Sequence, residues 1–215
     1  MGELLPAWPL LVAFVGASLL LAVTPGPAVF YILTCTLAQG RRAGLASVAG
    51  VALGNLGNAI GASIGLAALF AVSTLAFTVV KYAGAAYLVY LGGRTLTRSD
   101  SNPGIVSYQV TQLRRIFRDG FMVALFNPKT TLFFAAFLPQ FMSTVTAPML
   151  QSVALGSLFV LIASCTDTAY VLTASALAPV VGRLRGAQKW GRYLSASAFI
   201  GLGVFTATTG SRAAK

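Results

Sequence analysis

Thr24-Pro25-Gly26-Pro27 interrupts an apolar stretch that runs from about Pro9 to Ala38, and Asn127-Pro128-Lys129 interrupts a second one from about Phe117 to Met142. Proline lacks a backbone donor and clashes with the preceding turn, so each motif predicts a broken helix. Within a bilayer, the freed backbone groups are tolerated only where protein or a polar cavity satisfies them. Matching breaks in two halves of a membrane protein are typical of a transporter's binding site.

The composition indicates a membrane protein. The chain has 215 residues, of which 57% are hydrophobic and only 9% charged, whereas about a quarter of the residues in a soluble domain are charged. Six apolar runs are long enough to cross a hydrocarbon core of roughly 30 Å: about 9–34, 44–70, 74–93, 120–142, 150–177 and 193–210. The expected fold class is an all-α membrane protein with six transmembrane helices, forming a single transmembrane domain over residues 1–215.

Positive charge is concentrated in the first, third and fifth links between these runs. Cytoplasmic loops gather Lys and Arg, so the net charge of +11 reports orientation and predicts no nucleic-acid partner. The basic residues of the three links are Arg41, Arg42, Arg94, Arg98, Arg114, Arg115, Arg118, Arg183, Arg185, Lys189 and Arg192. The pattern predicts a multi-pass protein of the bacterial plasma (inner) membrane, in contact with the lipid bilayer, with both termini outside. The first run has no basic n-region and is expected to be a retained helix.

Three helices in each half would place the halves in the membrane with opposite orientations. The expected arrangement is two inverted three-helix repeats, about 8–94 and 117–210, with helices 1 and 4 broken by proline near mid-depth. A polar cytoplasmic linker over 95–116 joins them, and its residues 99–104 are rich in turn formers.

Charged side chains inside the apolar runs are the clearest pointers to function. Asp167 lies deep in helix 5 and Lys129 lies in the break of helix 4, both at a depth of roughly 14–16 Å from the cytoplasmic ends. One interpretation is a structural ion pair that holds helix 4 against helix 5. The other is that Lys129 attracts a substrate carboxylate, while Asp167 binds an ammonium group or carries a coupling proton, because burial disfavours a charged carboxyl. Lys81, nearer the outer end of helix 3, is expected to snorkel outward.

Helix 2 contributes amides and a row of glycines. Gly50 and Gly54 begin a series of small residues that predicts close helix packing. Asn55 and Asn58 should face protein or a cavity, and for Asn58 both a pathway-lining role and an interhelical hydrogen bond are open. The candidate substrate-binding residues are Thr24, Pro25, Gly26, Pro27, Asn58, Asn127, Pro128 and Lys129, and the candidate for proton coupling is Asp167.

Several function classes fit the sequence poorly. The chain has no histidine, which excludes a His-based catalytic triad, an HExxH zinc site and an imidazole proton relay. No nucleotide-binding motif is present, so we expect no enzyme activity and no cofactor, and any pumping should be driven by an ion gradient. A cation or metal permease would need more intramembrane ligands than one Asp. A thiol–disulfide carrier would need cysteines near both breaks, and a static structural subunit has no use for paired breaks with buried charge.

The combined motifs resemble the LysE/RhtB family of amino-acid exporters. The matching segments are Thr24-Pro25-Gly26-Pro27, residues 81–92 of helix 3, Phe117-Arg118-Asp119-Gly120 leading to Asn127-Pro128-Lys129, residues 137–141, and Asp167. The resemblance implies six helices and efflux of amino acids or close derivatives from the cytoplasm by proton antiport. Family members often carry a His on helix 2 where this chain has Asn58. Because Asn58 cannot titrate, Asp167 is the candidate for proton coupling in this chain. Which amino acid is exported and whether the chain forms a homo-oligomer are left open.

Overall fold

A computed structural model describes residues 5–64, 74–97, 106–142, 148–182 and 187–208. Nearly all of these residues are helical, and none of them lies in a strand, so the all-α prediction is confirmed. The α-helices are α1 (Trp8–Val23), α2 (Pro27–Gln39), α3 (Arg41–Ser63), α4 (Thr74–Thr97), α5 (Val106–Leu125), α6 (Pro128–Leu132), α7 (Pro148–Gly182) and α8 (Ala187–Thr208). A π-helical turn over Phe133–Phe137 and a 3₁₀ turn over Leu138–Phe141 follow α6.

The first predicted break is confirmed. Helix α1 ends at Val23, α2 begins at Pro27, and the two axes are bent by 51°. Thr24 and Gly26 have extended backbone conformations between them. Proline suits the first position of α2, because its fixed φ matches the helix and the missing N–H would have had no partner there.

The second predicted break is also confirmed. Helix α5 ends at Leu125 and α6 begins at Pro128. The Asn127 side chain caps α6, since its Oδ1 accepts a hydrogen bond of 3.1 Å from the backbone N–H of Lys129. Asparagine is among the preferred residues at this capping position, so the local sequence stops one helix and starts the next.

The helices meet the requirements of a membrane protein, although the number of spans stays a prediction. By length and composition, α3 and α7 can each cross a membrane within the described residues, and α1 with α2 can form a third, bent span. The inverted repeat likewise stays a prediction.

The predicted linker 95–116 is in part helical. Helix α5 already begins at Val106, whereas residues 98–105, with the turn-rich stretch, lie outside the described residues. The helical part is amphipathic: Ile116 is buried, while Arg114 and Arg115 are exposed. One face of α5, which includes Ile116, is buried against the protein, and this burial explains why the polar segment that begins at Val106 forms a helix.

Close backbone approach joins helices from the two halves of the chain. A Cβ atom at Gly50 would lie 2.0 Å from the carbonyl oxygen of Phe117, and one at Gly54 would lie 2.5 Å from that of Phe121. From the first of these contacts to the second, the residue numbers increase along both helices, so α3 runs parallel to α5. Helix α4 packs mainly on α8, where a Cβ atom at Gly203 would lie 2.8 Å from the carbonyl oxygen of Ala85. Small residues thus permit the contacts that drive association in lipid.

Candidate functional site

A narrow cavity lies where the two helix breaks face α3 and α7. Its volume is about 40 Å³, which is room for about three water molecules. We call it the central cavity; it is lined by Leu21, Ala22, Gly26, Ala28, Val29, Val51, Asn55, Asn127, Lys129, Thr130, Phe159, Ala163 and Asp167. Four of the residues predicted from sequence, Gly26, Asn127, Lys129 and Asp167, therefore meet around one small space.

The ammonium group of Lys129 connects the second break to the first. Its Nζ donates a hydrogen bond of 2.7 Å to the carbonyl oxygen of Leu21, and another to that of Thr24. These carbonyls belong to the last turn of α1 and its cap, where oxygens lack intrahelical partners and the helix dipole is negative. A Cβ atom at Gly26 would lie 3.3 Å from the Lys129 Cδ, so glycine at this position leaves space for the lysine chain.

Asp167 supplies the carboxyl group of the cavity. It lies on α7, and only 5% of the residue is exposed. In the described part of the chain, ion pairs within 4.0 Å form only at Asp119, so Lys129 and Asp167 face the same cavity without a direct ion pair. The Asp167 carboxyl is therefore not tied up by Lys129, whose ammonium group bonds to the carbonyl oxygens of Leu21 and Thr24. Within the same residues, no group of three or more His, Cys, Asp or Glu side chains could hold a metal ion.

The remaining predicted residues of the breaks do not line the central cavity. The Thr24 hydroxyl donates to the carbonyl oxygen of Leu20 at 2.6 Å, and Pro25 is exposed. Pro27 and Pro128 begin α2 and α6. These residues shape the two breaks, and only backbone groups such as the Thr24 carbonyl reach the Lys129 side chain.

The two asparagines of α3 have different surroundings. The Asn58 Nδ2 donates a hydrogen bond of 2.9 Å to the carbonyl oxygen of Ala124, which is the interhelical bond considered above. Asn58 does not line the central cavity, whereas Asn55 does. The sequence could not separate the two, because both amides require a polar or protein environment.

The expectation that Lys81 snorkels outward is wrong. Lys81 is buried, and its Nζ lies 5.1 Å from the centroid of the Tyr82 ring. A cation near an aromatic face is attracted by the ring quadrupole, which gives the buried charge a favourable contact.

A second buried acid, Asp119 on α5, was missed by the sequence reasoning. Asp119 forms an ion pair with Arg94 of α4, and its Oδ1 accepts a hydrogen bond of 2.9 Å from the Tyr87 hydroxyl. The more distant Arg118 approaches to 3.9 Å. The spacing of three residues between Ile116 and Asp119 could have indicated its burial. On a helix this spacing places Asp119 on the same face as the apolar Ile116, and both residues are buried in α5.

Comparison with known proteins identifies relatives over most of the chain. Residues 19–210 match the family described as LysE type translocator. The chain is 31% identical over 166 residues, covering 77% of this chain and 81% of the relative, to the homoserine/homoserine lactone efflux protein of Salmonella typhimurium. It is 28% identical over 197 residues, covering 90% and 92%, to the leucine efflux protein of the same organism. No solved structure matches the chain significantly.

Proposed function

Because the chain belongs to the LysE type translocator family, we propose that it exports amino acids or close derivatives from the cytoplasm across the bacterial inner membrane. Its relatives named for homoserine and for leucine efflux support this proposal. The proposed arrangement has six membrane spans in two inverted repeats, with both termini outside, as the charge pattern of the links predicts.

The observation that carries the proposal is that one basic and one acidic side chain, Lys129 and Asp167, both line the central cavity. An amino acid is a zwitterion, so Lys129 is complementary to its carboxylate and Asp167 to its ammonium group. Burial of either ligand charge without a partner would be strongly unfavourable. The backbone groups freed near Gly26 and Asn127 add hydrogen-bonding partners where two helices are interrupted.

Substrate entry requires the helices to separate. The central cavity has room for about three water molecules, and even a small amino acid has more non-hydrogen atoms than that. A bound carboxylate would compete with the carbonyl oxygens of Leu21 and Thr24 for the Lys129 ammonium. Substrate binding would thereby release the last turn of α1 from α6. The two helices could then move relative to each other at the breaks.

We assign proton coupling to Asp167. When the cavity opens to the more acidic outside, a proton taken up by the Asp167 carboxylate removes the counter-charge of the substrate ammonium and favours release. When the cavity opens to the cytoplasm, the carboxyl gives up this proton and can bind the next substrate. One proton would enter for each amino acid that leaves, which is antiport.

Efflux from proteoliposomes loaded with radiolabelled amino acids tests the role of Lys129. We expect Lys129→Met to lower efflux at least about tenfold, because the substrate carboxylate loses its buried partner. Lys81→Met removes a buried lysine that does not line the central cavity and should have a smaller effect. Wild-type efflux by Lys129→Met would show that this lysine only holds α1 against α6.

The same vesicles test coupling when a pH gradient is imposed. Asp167→Asn should abolish gradient-driven efflux, since an amide cannot carry the proton. Asp167→Glu should retain part of the activity. If Asp167→Asn transports against a concentration gradient as well as the wild type, another group carries the proton.

A further inference from the structure

Asn55 of α3 has an unsatisfied carboxamide in the central cavity. Only 5% of the residue is exposed, and its Oδ1 has no hydrogen-bond partner. The other nearby amides are engaged: the Asn127 Oδ1 caps α6, and the Asn58 Nδ2 bonds to the Ala124 carbonyl. A buried acceptor without a partner costs about 1–3 kcal/mol, so a donor that enters the cavity would be bound there.

The packing of α3 on α7 separates Asn55 from Asp167. A Cβ atom at Gly44 would lie 2.8 Å from Val171, and one at Gly156 would lie 2.6 Å from Ala59, so the two helices are antiparallel. On this register Asn55 is level with residue 160, roughly 10 Å along α7 from Asp167. Asn55 and Asp167 therefore lie at levels about two helical turns apart along the central cavity.

We propose that Asn55 determines specificity by accepting a hydrogen bond from an uncharged donor on the side chain of the exported amino acid, such as a hydroxyl group. The inference rests on the proposed function, in which Lys129 and Asp167 take the two charges of the zwitterion. Asn55 then provides a third polar contact for a third polar group. A charged ammonium side chain is a poor occupant, because Asp167 is the sole carboxylate among the described lining residues.

Homoserine and norvaline test this inference, since they have nearly the same shape and differ by a hydroxyl in place of a methyl group. The measurement is the efflux of each radiolabelled amino acid from proteoliposomes, expressed as the ratio of their kcat/KM values. We expect the wild type to favour homoserine at least about tenfold, because norvaline leaves the Asn55 oxygen unpaired. Asn55→Leu should abolish or reverse the preference.

Two control variants make the result specific to the Asn55 oxygen. Asn58→Leu places the same substitution three residues along α3, outside the central cavity, and should keep the preference for homoserine. Asn55→Asp keeps an acceptor of nearly the same shape and should also keep it. This conservative variant, together with the wild-type ratio, decides the question if Asn55→Leu does not fold.

Each alternative outcome has a distinct meaning. If the wild type exports norvaline as fast as homoserine, or if Asn55→Leu keeps the wild-type ratio, the assignment of Asn55 is overturned while amino-acid export stands. Loss of the preference in Asn55→Asp would likewise contradict the acceptor role. If the wild type exports no amino acid from a panel that includes homoserine, norvaline and leucine, the proposed function fails and the inference fails with it. Export of other amino acids without homoserine overturns only the assignment of Asn55.

Discussion

Asp119 holds α4 and α5 together by charge, and its two arginine contacts should differ greatly in their effect on stability. The Asp119 side chain is 1% exposed, whereas those of Arg94 and Arg118 are 25% and 66% exposed. Replacing Arg94 by Met would leave a wholly buried carboxylate with the Tyr87 hydroxyl and a guanidinium at 3.9 Å. Removing one partner of a buried pair typically costs about 3–5 kcal/mol.

The asymmetry in burial sets the expected order of the variants. Arg94→Met should lower the free energy of unfolding by about 3–5 kcal/mol. Asp119→Asn leaves an arginine that water can partly solvate, so we expect a smaller loss, about 2–3 kcal/mol. Arg118→Met removes an exposed contact and should cost about 0–1 kcal/mol.

Reversible unfolding in detergent micelles, followed by circular dichroism, measures these differences. The double variant Arg94→Met/Asp119→Asn should lose less stability than the two single variants together, because it leaves no buried charge unpaired. Equal losses for Arg94→Met and Arg118→Met, or strict additivity in the double variant, would refute the buried-pair interpretation.

Two further predictions concern orientation and packing. In a variant without native cysteines, a cysteine at Ser101 should be protected from an impermeant thiol reagent in intact cells, while one at Ser211 should react; the opposite labelling would invert the proposed topology. Gly50→Ala should destabilise the protein by about 1–3 kcal/mol, because its Cβ would lie 2.0 Å from the Phe117 carbonyl oxygen. Gly16→Ala, with nothing within 4 Å, should raise stability by about 0.5–1 kcal/mol, because alanine favours a helix interior over glycine, and a loss equal to that of Gly50→Ala would contradict the close packing.

The breaks could be predicted from the sequence because their causes are local. Pro25, Pro27 and Pro128 act on their own backbone whatever surrounds them, and each break lies where these prolines occur. Lys129 and Asp167 were recognisable as candidates because charge inside an apolar run is costly and therefore conspicuous.

The orientation of side chains around a helix could not be predicted in this way. Asn55 and Asn58 are three residues apart, and which one reaches the central cavity depends on how α3 is rotated against α5. That rotation follows from the contacts of Gly50 and Gly54 with the α5 backbone, which are tertiary contacts. Asp119 was missed for a related reason, since its basic surroundings in the sequence suggested an exposed link.

The pairing of helices across the chain also bears on whether either half could exist alone. Helix α3 packs most extensively on α5 and α7, and α4 packs on α8, so each major partner lies on the other side of residues 98–105. A fragment ending before that segment would present the glycine face of α3 to lipid with nothing against it. Each half carries its own break, but each needs the other to complete its helix packing. If the halves are synthesised as separate chains, neither is fully packed until the two associate.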